Sequence, residues 1–121
     1  MKNIFIDGLE FELMIDYEQI QKRIRLIGID INLKYEDKHP VFIGVLNGCF
    51  MFMADLMKQV HIPCEMSFVK LASYSGTKQG ELHELIGVGM SLEGRHVVIV
   101  EDVVDSGRSL VHTIEALERL E

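Results

Sequence analysis

The apolar positions of this 121-residue chain change period along its length, and each change marks an element. Over residues 17–35 the period is helical. Ile20, Ile24, Ile27 and Ile31 recur every three or four positions and share one face. Asp16 stands just ahead of them as an N-cap, its carboxylate available to the first unpaired N–H groups. Gly28 weakens this helix without breaking it. Residues 41–46 follow Pro40 as an almost unbroken apolar run, which reads as a buried strand. Asn47-Gly48 is a turn signal, and residues 49–60 then place Phe52, Leu56 and Met57 at helical spacing. Residues 64–71 alternate partly and predict a second strand. Residues 73–84 are polar, contain Gly76 and Gly80, and read as a loop. A short strand is expected over 85–91 and a turn at Glu93-Gly94. Residues 97–100, extending into Val103-Val104, form the most strongly β-branched run, and 107–121 read as a helix with Leu110, Ile114 and Leu117 on one face. At the start, Ile4, Ile6, Leu9, Phe11, Leu13 and Ile15 predict only a short strand or arm.

Apolar strands alternating with helices predict an α/β fold, a mainly parallel sheet with helices on both faces. No repeat, linker or low-complexity tract divides residues 1–121, so one domain is expected. In such sheets ligands sit beyond the carboxyl ends of the strands. Three marked stretches fall there: Asn47-Gly48, residues 73–84 and residues 101–109.

Composition narrows the function classes. The net charge is −7 and the pI about 5.2, which excludes a sequence-independent binder of nucleic acid backbones. A small anion remains open, because backbone N–H groups or Mg²⁺ handle phosphates locally. Cys49 and Cys64 lack metal-ligand spacing and read as free thiols, which fits a reducing compartment. The first ten residues do not resemble a signal peptide, and no window reaches the roughly 18 apolar residues of a membrane span. A cytoplasmic protein without membrane contact is expected.

The chemistry concentrates in VVIVEDVVDSGRSL, residues 97–110. A strand delivers Glu101 and Asp102 to its carboxyl end, Asp105 opens a turn, and Ser106, Gly107, Arg108 and Ser109 start the next helix. There the backbone N–H groups are unpaired and the dipole is positive. Gly107 permits close approach to the backbone, and the serines add hydroxyl donors. This is a cradle for a phosphate monoester. The acids ahead of it suit sugar hydroxyls or hydrated Mg²⁺. An ordinary strand–turn–helix with an Asp cap would explain Asp105 but not Glu101, Asp102 or the serines.

The run from 97 to 109 resembles the phosphoribosyl pyrophosphate signature of type I phosphoribosyltransferases: apolar strand, two acids, two apolar residues, acid, small residue, Gly, variable residue, Ser/Thr. VFIGVLNGCFMFMADL (41–56), FVKLASYSGTKQGEL (68–82) and FELMIDYEQIQKRI (11–24) resemble the hypoxanthine-guanine group of that family. The resemblance implies transfer of phosphoribose from phosphoribosyl pyrophosphate to N9 of hypoxanthine or guanine, with release of pyrophosphate and with Mg²⁺ as cofactor. It implies that Glu101, Asp102, Val103, Val104, Asp105, Ser106, Gly107, Arg108 and Ser109 hold the phosphoribosyl group or nucleotide. Within that set Glu101 and Asp102 address ribose hydroxyls, directly or through the metal, and Asp105 is the catalytic acid/base at purine N7. Leu46, Asn47 and Gly48 match the pyrophosphate loop, which carries a non-proline cis peptide between Leu46 and Asn47 in that family. Ser73 and Tyr74 match a loop that closes over the site.

The resemblance further implies a C-terminally truncated domain. Family members continue into another core strand, a lysine that reads the purine 6-oxo group, an aromatic that stacks on the base and an acid near Mg²⁺. A fragment lacking these and much of the hood is expected to self-associate as a homo-oligomer. The alternative function is a fragment that binds phosphoribosyl pyrophosphate or nucleotide without turnover. A phosphoacceptor receiver domain fits less well, because Asp105 is followed by a cradle for phosphate already made. No G-x-G-x-x-G follows any strand, which argues against a dinucleotide fold.

Overall fold

The structure is a computed structural model and describes residues 3–73, 82–103 and 108–118. Its centre is a four-stranded sheet of β3 (Val41–Val45), β4 (Glu65–Ser73), β5 (Leu82–Ile86) and β6 (Val97–Val100), in the order β5-β4-β3-β6. β3 runs parallel to both β4 and β6, and β5 runs antiparallel to β4. Helix α1 (Tyr17–Lys34) precedes the sheet, α2 (Phe50–Met57) connects β3 to β4, and α3 (Arg108–Glu118) follows β6.

The period-2 alternation of the strands sorts side chains between two cores. Phe42, Val98 and Val100 face a cluster with Ile24 and Ile31 of α1 and Met53 and Leu56 of α2. Val41, Ile43, Val97 and Ile99 face the other side, where Leu117 of α3 joins Val69, Val88 and Leu92. Helices thus cover both faces of a mainly parallel sheet, as the sequence predicts.

Helix α1 starts where its cap dictates. The Gln19 N–H donates to Asp16 Oδ1 at 2.8 Å, and the Asp16 N–H donates back to Gln19 Oε1 at 2.9 Å, a complete capping box. Ile24 and Ile31 are buried and Ile27 packs beside them, but Ile20 is 44% exposed, so the core face is shorter than its isoleucine spacing suggests. Gly28 has a packing reason: a Cβ there would lie 2.5 Å from the Cβ of Gln59, just past α2. Asn32 ties the same two segments, donating to the Gln59 carbonyl at 2.9 Å and accepting from the His61 N–H at 2.8 Å.

Four expectations need correction. The N-terminal arm is a hairpin, β1 (Ile4–Ile6) paired with β2 (Leu9–Phe11). Asp7 and Gly8 both take positive φ, 50° and 77°, as a two-residue turn matched to strand twist requires. The sequence signal was the Asp-Gly pair itself. Second, Ser73 and residues 82–84, expected within the loop over 73–84, are strand instead: β4 runs on to Ser73, which pairs with Leu82, and residues 74–81 lie outside the described residues. Third, the strand expected over 85–91 lies earlier, at 82–86. Val88 and Leu92 are apolar because they are buried in the connection to β6, where the Ser67 hydroxyl donates to the Val88 carbonyl at 2.5 Å. Fourth, β6 stops at Val100 and does not extend to Val103, which is 70% exposed. On α3, Leu117 is buried with Thr113, whereas Ile114 is 40% exposed and turns off the core face. The described residues contain no helix long and apolar enough to cross a membrane.

Candidate functional site

Parallel strands end on the same edge of a sheet, so the segments leaving β3 and β6 meet. Gly44 pairs with Val100. A few residues further on, the turn at 46–48 and the acids at 101–102 lie side by side. The crossover from β3 leads through α2 to β4 on one side, while β6 lies on the other. This divergence opens the crevice in which α/β sheets bind ligands.

The first wall is the turn after β3. The Leu46–Asn47 peptide is cis, as the family resemblance implies, and the Leu46 N–H donates to the Val69 carbonyl at 2.9 Å. Among the described residues no backbone carbonyl accepts from the N–H of Asn47 or Gly48. Asn47 contributes its carbonyl to the start of α2, accepting from the Phe50 N–H at 3.3 Å.

The second wall is the acid pair. As adjacent strand residues, Glu101 and Asp102 would point to opposite faces. The strand ends at Val100 and the chain bends at Asp102, which brings both carboxyl groups together. Asp102 is exposed and its carboxylate sits against Gly48, whose own Cβ would lie 2.5 Å from Asp102 Cγ. Glu101 is half-buried, and its Oε2 is buried without a hydrogen-bond partner among the described residues. Burial pushes the Glu101 carboxyl above its usual 4.5, with the side-chain hydrogen bond to Asp102 and the Asp102 charge adding to the effect.

Glu101 is therefore poised to receive something, at a cost to the fold. Its raised pKa means that the folded chain holds the proton more tightly than the unfolded one. That stabilising contribution is fully present below about pH 4.5 and is lost as pH rises through the folded-state value. Glu101→Gln removes the charge and is expected to raise stability at pH 7 by on the order of 1 kcal/mol. The gain should vanish near pH 4. Urea unfolding at the two pH values checks this, and a destabilised variant at pH 7 would contradict it.

Cys49, at the start of α2, is fully buried behind the turn. Burial pushes its thiol up, and the charges of Glu101 and Asp102 push it further, so it stays protonated and is no nucleophile. Spacing along the chain did not reveal that this thiol lies near the acids. Also unforeseen is an apolar groove of about 790 Å³ lined by Ile15, Tyr17, Ile20, Met51 and Phe52, with Asp102 also in its lining. Its one sequence signal is Ile20, an isoleucine in excess of what the α1 core face uses.

Of the other expected site residues, Arg108 and Ser109 open α3, so the cradle expected at a helix N-terminus has its helix. Val103 leaves β6 exposed. Ser73 ends β4. Tyr74, Val104, Asp105, Ser106 and Gly107 lie outside the described residues. Taken together, the described site can donate backbone N–H groups from one turn and present two carboxyl groups from the next. It does so ahead of a helix N-terminus.

This arrangement has counterparts. The family model for the phosphoribosyl transferase domain matches residues 16–121. Among curated proteins, the chain is 38% identical over 106 residues to the hypoxanthine-guanine phosphoribosyltransferase of Bacillus subtilis (strain 168), covering 86% of this chain and 59% of that protein. It is 38% identical over 114 residues to the hypoxanthine-guanine-xanthine phosphoribosyltransferase of Tritrichomonas foetus, covering 93% of this chain and 62% of that one. The chain thus spans about three fifths of these relatives' length. Among solved structures, a hypoxanthine-guanine phosphoribosyltransferase from Bacillus anthracis superposes with a TM-score of 0.84 at 27% identity, over 91% of this chain and 66% of that one. The hypoxanthine phosphoribosyltransferase of Trypanosoma cruzi, in complex with the product IMP, gives 0.81 at 33% identity, over 90% and 64%. With its sheet order, its paired turns and a family match running from the α1 cap onward, the chain belongs to the phosphoribosyl transferase domain family.

Proposed function

We propose that this chain carries the phosphoribosyl half of a purine-salvage site, the half that binds phosphoribosyl pyrophosphate for transfer to hypoxanthine or guanine. The observation that carries this reading is the meeting of two segments at the carboxyl ends of adjacent parallel strands. The 46–48 turn and the Glu101–Asp102 pair converge there, with the start of α3 next along the chain. The likeness to an IMP complex supports a nucleoside monophosphate as product.

In this reading each segment has one task. The N–H groups of Asn47 and Gly48 receive pyrophosphate oxygens. Glu101 and Asp102 accept from the ribose hydroxyls and fix the sugar against the turn. Residues 105–109 hold the 5′-phosphate on the N-terminus of α3, where the dipole favours an anion. Asp105 holds or releases the purine N7 proton. Ser73 and Tyr74 belong to the segment that excludes water from a centre prone to hydrolysis.

Mg²⁺ suits the acid pair. Glu101 Oε2 is buried and has no partner among the described residues, Asp102 lies beside it, and both offer hard oxygen ligands. Among the described residues no group of three or more potential ligands surrounds a common point. Such a pair fits a cation that keeps waters and substrate oxygens in its shell. When bound, the metal would neutralise charge on the pyrophosphate group.

The test is release of pyrophosphate when hypoxanthine or guanine is added to the chain with phosphoribosyl pyrophosphate and Mg²⁺. Asp105→Asn is expected to lower release by about 10²–10⁴-fold while changing binding of phosphoribosyl pyrophosphate by much less. Binding without release in the unaltered chain would favour the non-catalytic alternative. The absence of both binding and release would overturn the proposal.

A further inference from the structure

Gly48 lies between β3 and α2, in the turn that faces the acid pair. A Cβ built on it would lie 2.5 Å from Asp102 Cγ and 3.1 Å from Oδ1, and closer still to Oδ2. All three of the nearest atoms belong to one carboxylate, and none is backbone. A side chain at position 48 would therefore leave the turn's own path open and push a short acidic side chain out of its place. Asp102 has no long stem to absorb the push, so only rotation about its χ angles relieves it. The displacement would not stop there, because the Asp102 carboxylate lies close enough to the Glu101 side chain to shift its proton affinity.

We infer that Gly48 is the positioning residue for Asp102: the side chain it lacks is the space in which the Asp102 carboxylate sits. The turn after β3 thereby sets where the acids after β6 present their oxygens. This is separate from any approach of pyrophosphate to the Gly48 backbone, and it makes the two walls of the crevice one mechanical unit. The inference rests on the proposed function only for its ligand, phosphoribosyl pyrophosphate.

Two readouts test it, one of which needs no ligand. In carbon-13 NMR, Gly48→Ala is expected to move the carboxyl resonance of Asp102 while most of the spectrum stays in place. In calorimetry with Mg²⁺, Gly48→Ala is expected to weaken phosphoribosyl pyrophosphate binding by roughly tenfold or more, as losing a charged hydrogen bond does. In an Asp102→Ala background there is room for the new methyl group. There Gly48→Ala should change affinity by less than about twofold, since residues that act through one contact are non-additive. Should Gly48→Ala alone not fold, the double variant is expected to restore folding. An unmoved Asp102 resonance, an equal loss of affinity in both backgrounds, or a double variant that stays unfolded would each overturn the inference. If the unaltered chain does not bind phosphoribosyl pyrophosphate, the proposed function fails, and the Asp102 resonance still decides whether Gly48 positions that carboxylate.

Discussion

Ser109→Glu is expected to weaken binding of phosphoribosyl pyrophosphate by roughly a hundredfold or more, because placing like charges together costs several kcal/mol. The same substitution should leave the fold intact. Ser109 is the second residue of α3, inside the first turn, where backbone N–H groups lack intrahelical partners. A carboxylate there interacts favourably with the helix dipole, by about 0.3–1 kcal/mol. The melting temperature should therefore hold or rise slightly while binding is lost. That combination is diagnostic, because a variant that fails through misfolding would lose both. Ser109→Gln, similar in size and neutral, should bind far better than the glutamate variant. Calorimetric titration of the two variants beside thermal melts makes the measurement. Equal affinities for glutamate and glutamine would place the phosphate elsewhere.

Phe42→Ala carries the largest expected effect on stability. Phe42 is at 0% exposure in the middle strand pair, and its cluster draws on α1, α2 and β6 together. Truncating a buried phenylalanine costs about 3–5 kcal/mol, through lost transfer energy and the cavity left behind. A domain of this kind has only about 5–15 kcal/mol to lose. The variant should sit near its unfolding midpoint at moderate temperature. Because β3 also supplies the 46–48 turn, ligand binding should fall with folding. Urea unfolding gives the number directly, and a loss below about 1 kcal/mol would mean that this core is not packed around Phe42.

These two positions show what the sequence carries well and what it carries poorly. β3 was legible because Pro40 and Gly48 bracket a run that is apolar on both sides, and both sides are covered. Helix α1 was legible because its cap, Asp16, and its isoleucine period agree. Residues 85–91 misled for a definable reason. Val88 and Leu92 are as apolar as strand residues, yet they fill the core from a connection without ladder partners. Burial and strand pairing leave the same mark on a short segment. The pairing of β4 with β5 was hidden because Ser73 and residues 82–84 stand beside polar residues and glycines in the sequence. The apolar alternation from Ile4 to Phe11 pointed to a short strand or arm, and the turn between β1 and β2 lay in the unread Asp7-Gly8 pair.

The site divides in the same way. Its family was legible as a linear pattern, because two acids, a third acid and a Ser-Gly-Arg-Ser run resemble the signature of the domain whose model matches residues 16–121. Its geometry was not. Gly48 and Asp102 are 54 positions apart by number, and only the parallel pairing of β3 with β6 brings them into contact. The same pairing places Cys49 near both acids and leaves one oxygen of Glu101 buried without a partner among the described residues. No local pattern encodes these relations, which arise from register between strands.

Isothermal titration of phosphoribosyl pyrophosphate into the 121-residue chain, with Mg²⁺ present, tests the central claim most directly. The account predicts saturable binding of one ligand per chain in the unaltered protein and its near loss in Ser109→Glu. No binding to a chain shown to be folded, or binding of equal strength in both proteins, would contradict it.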